Sequence, residues 1–319
     1  MKQLKNYLIN HVKSDFHFSF YLYSLIFLII CFYLNYGVFT DCNGRIIDSF
    51  KSCVLDANAD RKNIFTHIYY FLFYAFSFYS ICFAYFYFYN RWDILKNKSF
   101  IFKSLFGILI YSLSSSISFD GVNNLFTLPN NVIHYWTVGL KKLFRVLFVL
   151  LPIYFVFKWF KDDKSSRFYG LHFGKFNWKI YFKMFLIMIP LIFIASFESQ
   201  FKSFYPIMST FGAESYYQKS PFILMLYSEI CYGFNFVTVE FFFRGFLIFG
   251  MVEYFGKSAV LPMVSFYAFI HFGKPIGEAI SSVFGGYILG VISLKTESIL
   301  GGIYLHILVA WMMELMSLI

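Results

Sequence analysis

The chain has 319 residues, of which 59% are hydrophobic and only 14% are charged, and its formal net charge at pH 7 is +10. Soluble globular domains carry roughly 25% charged residues, so this composition excludes a soluble protein and indicates an integral membrane protein. The basic residues lie in short loops and do not form one patch. We therefore expect the lipid bilayer as a partner and no nucleic acid.

Apolar runs recur along the chain at the length that a bilayer-spanning helix needs, about 20 residues. They predict an all-α fold, a polytopic transmembrane helix bundle of about eight or nine helices. The clear spans are residues 16–40, 64–90, 104–119 and 258–273. Weaker spans are predicted at residues 143–160, 180–197, 222–250, 275–294 and 298–318.

The basic residues predict how these helices are oriented. Lysines precede the first span, and both Lys and Arg follow the second and fourth spans. Cytoplasmic loops carry an excess of such residues, so the N-terminus is expected in the cytoplasm. Lys141, Lys142 and Arg145 begin the fourth span on the outer side and weaken this pattern. The first apolar run is too long for the hydrophobic region of a signal peptide, so we expect a retained anchor.

The five cysteines fall into two groups. Cys31, Cys82 and Cys231 lie within predicted spans, and we interpret them as packing residues. Cys42 and Cys53 share a loop that is predicted to face the outside, where a disulfide is permitted. This pair is a candidate disulfide.

The distribution of ionisable residues divides the chain into three predicted parts. Residues 1–140 hold three aromatic-rich spans without an intramembrane carboxylate, so we expect scaffold or a substrate-facing wall. Residues 141–221 comprise a linker, an interfacial segment with aromatic residues and Lys, and further transmembrane helices. Residues 222–319 contain ionisable side chains in otherwise apolar spans, and this part is predicted to carry the chemistry.

Glu240 and Arg244 are four residues apart on one predicted helix, so their side chains are neighbours on the same face. Ionisable residues are costly inside a bilayer and indicate a functional site by default. The alternative is an ion pair that only holds two helices together. Glu229 lies three helical turns before Glu240, on nearly the same face.

Helix geometry predicts that three ionisable residues reach a similar depth. At about 1.5 Å of rise per residue, Glu240 lies roughly 15 Å and His271 roughly 20 Å from the turn near residues 253–257. His306 lies roughly 12 Å from the turn at residues 295–297. We therefore expect Glu240, His271 and His306 to meet in one layer of the membrane.

Small residues in the last two helices permit the close approach that a site between helices requires. Ser282, Gly286 and Gly290 form one such ladder, and Gly301 with Gly302 are expected to act in the same way in the final helix. Glu278 lies in the first turn after Pro275. It is a candidate either for direct involvement in the site or for favourable interaction with the helix dipole.

Three segments resemble the motifs of the CPBP family, which comprises type II CAAX prenyl proteases and bacteriocin-processing, Abi-like intramembrane proteases. They are Glu240-x-x-x-Arg244-Gly245, the segment 266–271 that ends in His271, and the segment 302–310 that contains His306. The similarity covers about residues 180–318. The run from His271 through Pro275 to Glu278 resembles a bacterial subgroup, so the resemblance implies a bacterial cytoplasmic (inner) membrane.

The chain departs from the family pattern at two positions. The first Glu of the family pair, regarded as the base that activates water, falls at Val239. The position that holds an amide in some members is Ala310. The family also includes variants with one Glu and with small residues at the last position.

The resemblance implies hydrolysis of a membrane-embedded or lipidated peptide. In this interpretation Glu240 and His271 position and deprotonate a water molecule, and His306 polarises the scissile carbonyl. Arg244 orients Glu240, while Glu278 and Glu314 are substitute carboxylates. Two histidines and one glutamate would also suit Zn²⁺ with an open fourth position, the ligands then being Glu240, His271 and His306.

Two other functions remain open at this stage. One is a non-catalytic relative that serves as a membrane scaffold or a bacteriocin immunity protein, having lost hydrolysis at Val239. The other is a transporter that uses its buried ionisable residues as a proton relay. The chain lacks the paired, interrupted repeats that transporters with a midplane binding site commonly have.

Overall fold

The computed structural model describes residues 2–38, 47–57, 63–117, 127–162, 167–172 and 177–319. All regular secondary structure in these residues is helical, which confirms the predicted all-α class. Seven helices there are long and apolar enough to cross a membrane, which confirms a polytopic bundle. These seven are Phe18–Gly37, Ile64–Phe88, Lys98–Ser116, Asn130–Phe160, Trp178–Ala195, Pro221–Phe249 and Ile276–Thr296.

The N-terminal part contains four α-helices, α1 to α4. Their bounds are Lys2–Asp15, Phe18–Phe32, Ile64–Phe88 and Lys98–Ser116. α2 continues as a π-helix over Tyr33–Gly37, and a second short π-helix occupies Lys51–Asp56. Asn63 and Asn97 cap α3 and α4, because each side chain accepts a hydrogen bond from a backbone N–H in the first turn.

The fourth span is longer than the sequence predicted. Helix α5 covers Asn130–Phe160, 31 residues, and so begins well before residue 143. Its basic residues were expected to mark the outer end of the span, but Lys142 and Arg145 lie inside the helix. They are accommodated there because Lys142 lies over the ring of Tyr232, at 5.0 Å, and Arg145 has polar partners inside the bundle.

The next helices lead to the long span near the centre of the bundle. α6 covers Trp178–Ala195, and the short helices α7 and α8 cover Ser199–Phe204 and Ala213–Tyr217. α9 covers Pro221–Glu240, a π-helical turn follows over Phe241–Phe246, and α10 covers Leu247–Phe249. Together they form the predicted span at residues 222–250. Single π-helical turns inside α-helices are frequent at functional sites.

The C-terminal part contains α11, α12, α13 and α14. They cover Val252–Phe255, Val260–His271, Ile276–Thr296 and Leu300–Met316. α12 has 12 residues, so it is about 18 Å long and too short to cross a bilayer. The predicted span at 258–273 is wrong in this respect. The uncharged run also included the last two residues of a 3-10 turn over Gly256–Ala259 and the turn at Gly273, where φ is +86°.

Several contacts show which turns lie at the same end of the bundle. The ammonium of Lys257 donates to the hydroxyl of Ser14 at 2.7 Å, so α1 lies beside the turn that precedes α12. A ring nitrogen of His172 lies 2.9 Å from the carbonyl oxygen of Glu297. The ammonium groups of Lys257 and Lys295 both act electrostatically on His11 of α1, so the turn before α12 and the turn after α13 lie at one end of the bundle. Their placement in the cytoplasm stays a prediction.

The cysteines are distributed as the sequence suggested. Cys31, Cys82 and Cys231 are buried and free, which confirms their interpretation as packing residues. Of the predicted disulfide pair, Cys53 is disulfide-bonded, and Cys42 lies outside the residues that the structure describes.

Candidate active site

Glu240 is completely buried where α9 meets the π-helical turn. Its Oε1 lies 3.0 Å from Nη1 of Arg244 and 2.9 Å from Nδ1 of His306. The predicted contact between Glu240 and Arg244 is therefore present. No guanidinium N–H of Arg244 points well enough at an acceptor to count as a hydrogen bond in the described residues, so charge attraction dominates the contact.

Arg244 is also held by an aromatic ring. Its guanidinium carbon lies 3.9 Å from the ring centroid of Tyr267, and both residues are buried. A cation over an aromatic face gains electrostatic energy, and the gain is larger when both groups are desolvated. The carboxylate and the ring together compensate for the burial of this charge.

Glycines in the last helix allow it to approach Glu240. A Cβ atom at Gly302 would overlap the Glu240 carboxylate, and one at Gly301 would overlap the ring of Tyr181. Close approach of the final helix at these two glycines is confirmed. Gly290 allows the same between α13 and α12, where an added Cβ would lie 2.7 Å from Met263.

His306 is oriented by the buried carboxylate. A carboxylate can only accept a hydrogen bond, so Nδ1 of His306 donates to Glu240. The lone pair of the neutral imidazole is then on Nε2. The ring packs against Phe236 with 4.3 Å between the centroids, so both the tautomer and the plane of His306 are held.

His271, the last residue of α12, is oriented by its own helix. Its Nδ1 lies 2.8 Å from the carbonyl oxygen of Tyr267. A carbonyl oxygen also only accepts, so Nδ1 carries the proton and Nε2 is left with a lone pair. The ring centroids of His271 and Tyr267 are 4.5 Å apart. Tyr267 thus contacts both His271 and the guanidinium of Arg244.

The two histidines line one cavity, whose volume is about 160 Å³. This space is large enough for several water molecules. Its charged and polar walls come from five helices and one turn: Ser115, Arg145, Asn235, His271, Lys274 and His306. Among the residues that the structure describes, no Asp or Glu side chain lines this cavity. The base that these residues offer to the cavity is therefore imidazole.

Glu240 does not line the cavity, but the preceding residue, Val239, does. Glu240, His271 and His306 were predicted to meet at one point, but only the two histidines reach the cavity. The imidazoles face the cavity, and the carboxylate lies behind His306. The position that carries the first Glu in the related family presents an isopropyl group to the cavity instead.

The remaining carboxylates of this region have other partners. Glu278 lies 2.7 Å from Nζ of Lys274 and accepts a hydrogen bond from the hydroxyl of Tyr205 at 2.7 Å. Glu314 accepts hydrogen bonds from two successive backbone N–H groups, at 2.9 and 3.1 Å. None of Glu278, Glu314 and Glu229 lines the cavity.

The donor set does not fit a zinc ion in this arrangement. Across the residues that the structure describes, no three His, Cys, Asp or Glu side chains lie close enough together to hold a metal. Glu240 directs Oε1 at Arg244 and at the protonated Nδ1 of His306, so it does not converge with the two Nε2 atoms. The chemistry of the site is accordingly derived from protein groups and water.

Sequence reasoning missed three residues of this site. The sequence pattern places Arg145 at the outer end of the fourth span and so outside the membrane core. A charge inside a span indicates a functional site, and this rule applies to Arg145 as it does to Arg244. Asn235 and Tyr267 gave no distinct signal, because an uncharged residue in an aromatic-rich helix resembles its neighbours. Only their positions relative to the histidines identify them.

Residues 221–312 match the family model described as type II CAAX prenyl endopeptidase Rce1-like. The match covers less than half of the chain. It confirms the resemblance that was based on the three motifs. It includes Glu240, Arg244, His271 and His306 but not Arg145. Comparison with curated proteins and with solved structures finds no match to this chain.

Proposed function

We propose that this protein is an intramembrane endopeptidase that hydrolyses a membrane-embedded or lipidated peptide. The proposal depends chiefly on one observation: two histidines, each with Nδ1 beside a hydrogen-bond acceptor, line a polar cavity inside an apolar helix bundle. The match to an endopeptidase family over the same segment agrees with this chemistry.

The buried carboxylate of Glu240 and the imidazole of His306 together act as a general base that deprotonates water. Nε2 of His306 accepts a proton from a water molecule in the cavity, and Glu240 stabilises the imidazolium that results. The water oxygen attacks the scissile carbonyl carbon. The C–N bond then breaks, and the proton passes from the imidazolium to the leaving amine. In this mechanism Glu240 is a positioning residue, because it acts through His306.

Asn235 supplies a neutral donor for the developing oxyanion. Its Oδ1 lies 3.3 Å from Nη1 of Arg145 and accepts from it, which turns the amide NH₂ toward other partners. A positioned donor at an oxyanion contributes about 3 kcal/mol to transition-state stabilisation. Asn235 therefore takes the role that an amide has in family members at the position of Ala310.

His271 is assigned to holding the water opposite His306. Its Nε2 lone pair accepts a hydrogen bond, and the bond from Nδ1 to the Tyr267 carbonyl fixes the ring. With the basic turns in the cytoplasm, α12 begins at that face and ends at His271 about 18 Å away. The cavity then lies in the outer half of the bundle.

A second candidate function is a non-catalytic relative, such as a membrane scaffold or a bacteriocin immunity protein. The presence of Val239 in the cavity wall favours it, because the carboxylate expected at this position is absent. This candidate predicts a stable protein that binds membrane peptides without cleaving them.

The experiment compares cleavage by the wild type, His306→Ala, His271→Ala and Glu240→Gln in lipid nanodiscs, with a library of acylated and transmembrane peptides. Loss of a general base lowers the rate by about 100-fold or more. His172→Ala is the matched control, because His172 lies outside the cavity and should retain full activity. Absence of cleavage by the wild type would contradict the proposal and favour the non-catalytic alternative.

A further inference from the structure

Arg145 extends from the middle of α5 into the cavity, where its partners are neutral. Its Nε lies 3.3 Å from the hydroxyl of Ser114, its Nη2 3.1 Å from that of Ser115, and its Nη1 3.3 Å from Oδ1 of Asn235. The guanidinium carbon lies 4.9 Å from the ring centroid of Tyr111. Among the described residues, no carboxylate forms an ion pair with Arg145.

The two fully buried cations Lys103 and Arg244 are paired with carboxylates. Lys103 lies 2.6 Å from Oδ1 of Asp162, and Arg244 lies 3.0 Å from Oε1 of Glu240. A charge inside a bilayer is expensive unless an opposite charge or water compensates it. Arg145 therefore directs a positive charge into a cavity that contains no carboxylate from the described residues.

The free donors of Arg145 match a carboxylate. The guanidinium has five N–H groups, and the three bonds above leave one N–H on each terminal nitrogen. Two N–H groups on neighbouring nitrogens are what a carboxylate needs for bidentate binding. Lys274 adds a second cation, an ammonium group, to the cavity wall, although Glu278 partly neutralises it.

We infer that the Arg145 end of the cavity is a binding subsite for a carboxylate of the peptide ligand. The cavity is small, so the bound carboxylate lies close to the histidines. If the protein cleaves peptides, the subsite selects those with a carboxylate next to the scissile bond, and this part of the inference rests on the proposed peptidase function. As a statement about binding, it does not require turnover.

The test measures equilibrium binding of an acylated tripeptide whose N-methylated peptide bonds resist hydrolysis. Four forms of this probe make two pairs. In the first pair the C-terminus is either a carboxylate or an amide. In the second pair the C-terminus is an amide and one internal residue is either Glu or Gln. The wild type is expected to bind at least one carboxylate form about tenfold more tightly than its neutral counterpart. The pair that shows the difference identifies the source as the C-terminus or an acidic side chain.

Variants connect this difference to Arg145. Arg145→Gln should abolish the preference for the carboxylate, and Arg145→Lys should retain part of it, because the charge remains without the fork of donors. Lys158→Gln is the matched control, since it removes a charge from an exposed position of the same helix and should keep the preference.

Two results would overturn the inference: equal binding of charged and neutral probes by the wild type, or a preference that survives in Arg145→Gln. The first needs no variant, so misfolding of a variant does not obscure it. If the wild type prefers carboxylates but cleaves no peptide, the subsite stands and the proposed peptidase function fails. If it cleaves peptides without this preference, only the subsite fails.

Discussion

Val239 and Glu240 are neighbours in sequence, yet the side chain of Val239 lines the cavity while that of Glu240 lies behind His306, 2.9 Å from its Nδ1. Successive residues of a helix point about 100° apart, so two adjacent carboxylates here would have different surroundings. One would face the cavity water, and the other would orient the imidazole. This chain has only the second of these two carboxylates.

Replacement of Val239 by Glu should increase peptidase activity. The new carboxylate would face the cavity beside His306 and could accept a proton from the water directly. A well-placed general base contributes about 100-fold or more to the rate, and we expect at least about a tenfold gain in kcat/KM for the peptide that the wild type cleaves best.

The control is Val239→Gln, which has nearly the same shape as Glu but is not a base. It should not increase kcat/KM. An equal gain in both variants would show that the size or polarity of the residue matters rather than its basicity.

The contributions of Glu240 and Arg244 to the free energy of unfolding should depend strongly on each other. Removing one partner of a buried ion pair leaves an uncompensated charge and costs about 3 to 5 kcal/mol. Glu240→Gln and Arg244→Met should each lower the free energy of unfolding by an amount of this order, measured by denaturant titration in mixed micelles.

The double variant separates the pair from its surroundings. Because it leaves neither charge unpaired, it should be destabilised by clearly less than the sum of the two single variants. Strict additivity would mean that the 3.0 Å contact contributes nothing to stability. Activity should nevertheless be lost in the double variant, because His306 loses the carboxylate that orients it.

Gly302 should tolerate no larger residue. A Cβ atom there would overlap the Glu240 carboxylate, so Gly302→Ala must displace either the carboxylate or α14. We expect a loss of about 1 to 3 kcal/mol in the free energy of unfolding, together with a marked fall in kcat. Thermal unfolding and peptide cleavage measure the two effects.

Gly285→Ala is the matched control, because a Cβ at this position of α13 meets no atom within 4 Å. Alanine favours a helix by about 1 kcal/mol over glycine, so this variant should be as stable as the wild type or more stable. Equal destabilisation by both substitutions would indicate a general effect on helices, not the specific contact with Glu240.

Much of this architecture follows from local sequence. Spans of apolar residues were found correctly because helix formation in lipid depends on composition and length, as in Ile64–Phe88 and Ile276–Thr296. The pairing of Glu240 with Arg244 followed from their spacing on one helix. The contact with His306 followed from counting residues between turns.

Other features depend on packing that the sequence does not encode locally. α5 extends past its basic residues because partners from α4 and α9 solvate Arg145 and Lys142 inside the bundle. The choice between Val239 and Glu240 as the cavity residue depends on the rotation of α9 and the π-helical turn after it. Such a rotation is set by contacts between helices, and spacing along the chain does not fix it.

Peptidase activity should survive metal chelators. The two histidines direct Nε2 at the cavity, but the carboxylate that would complete a zinc site is engaged with Nδ1 of His306 and with Arg244. Dialysis against EDTA followed by 1,10-phenanthroline is expected to leave kcat/KM within twofold of the untreated value. The positive control for the chelators is a zinc endopeptidase treated in the same way, which should lose its activity. A loss in this protein that added Zn²⁺ restores would contradict the assigned role of His306.

His11, in α1 outside the membrane spans, should make stability depend on pH. Burial, and then the nearby ammonium groups of Lys257 and Lys295, lower the pKa of His11 from 6.5 to about 4. Neither ring nitrogen has a hydrogen-bond partner in the described residues. Between pH 6.5 and 4 the unfolded chain binds a proton that the folded chain does not. The free energy of unfolding must therefore fall as the pH is lowered through this window, by up to about 3 kcal/mol.

His11→Phe tests this sign, since Phe fills a similar volume against the ring of Tyr287, 5.9 Å away, and does not titrate. Burial raises the pKa of the neighbouring Asp15, and protonation of Asp15 in the folded state acts in the opposite direction as the pH falls. Because Oδ2 of Asp15 lies 3.9 Å from Nε2 of His11, the difference between the unfolding free energies of the two proteins reports the titration of His11 together with its effect on Asp15. This difference should favour His11→Phe increasingly from pH 6.5 to 4 and then level off. A difference that is constant across the window would show that His11 binds its proton equally well in the folded and unfolded chains.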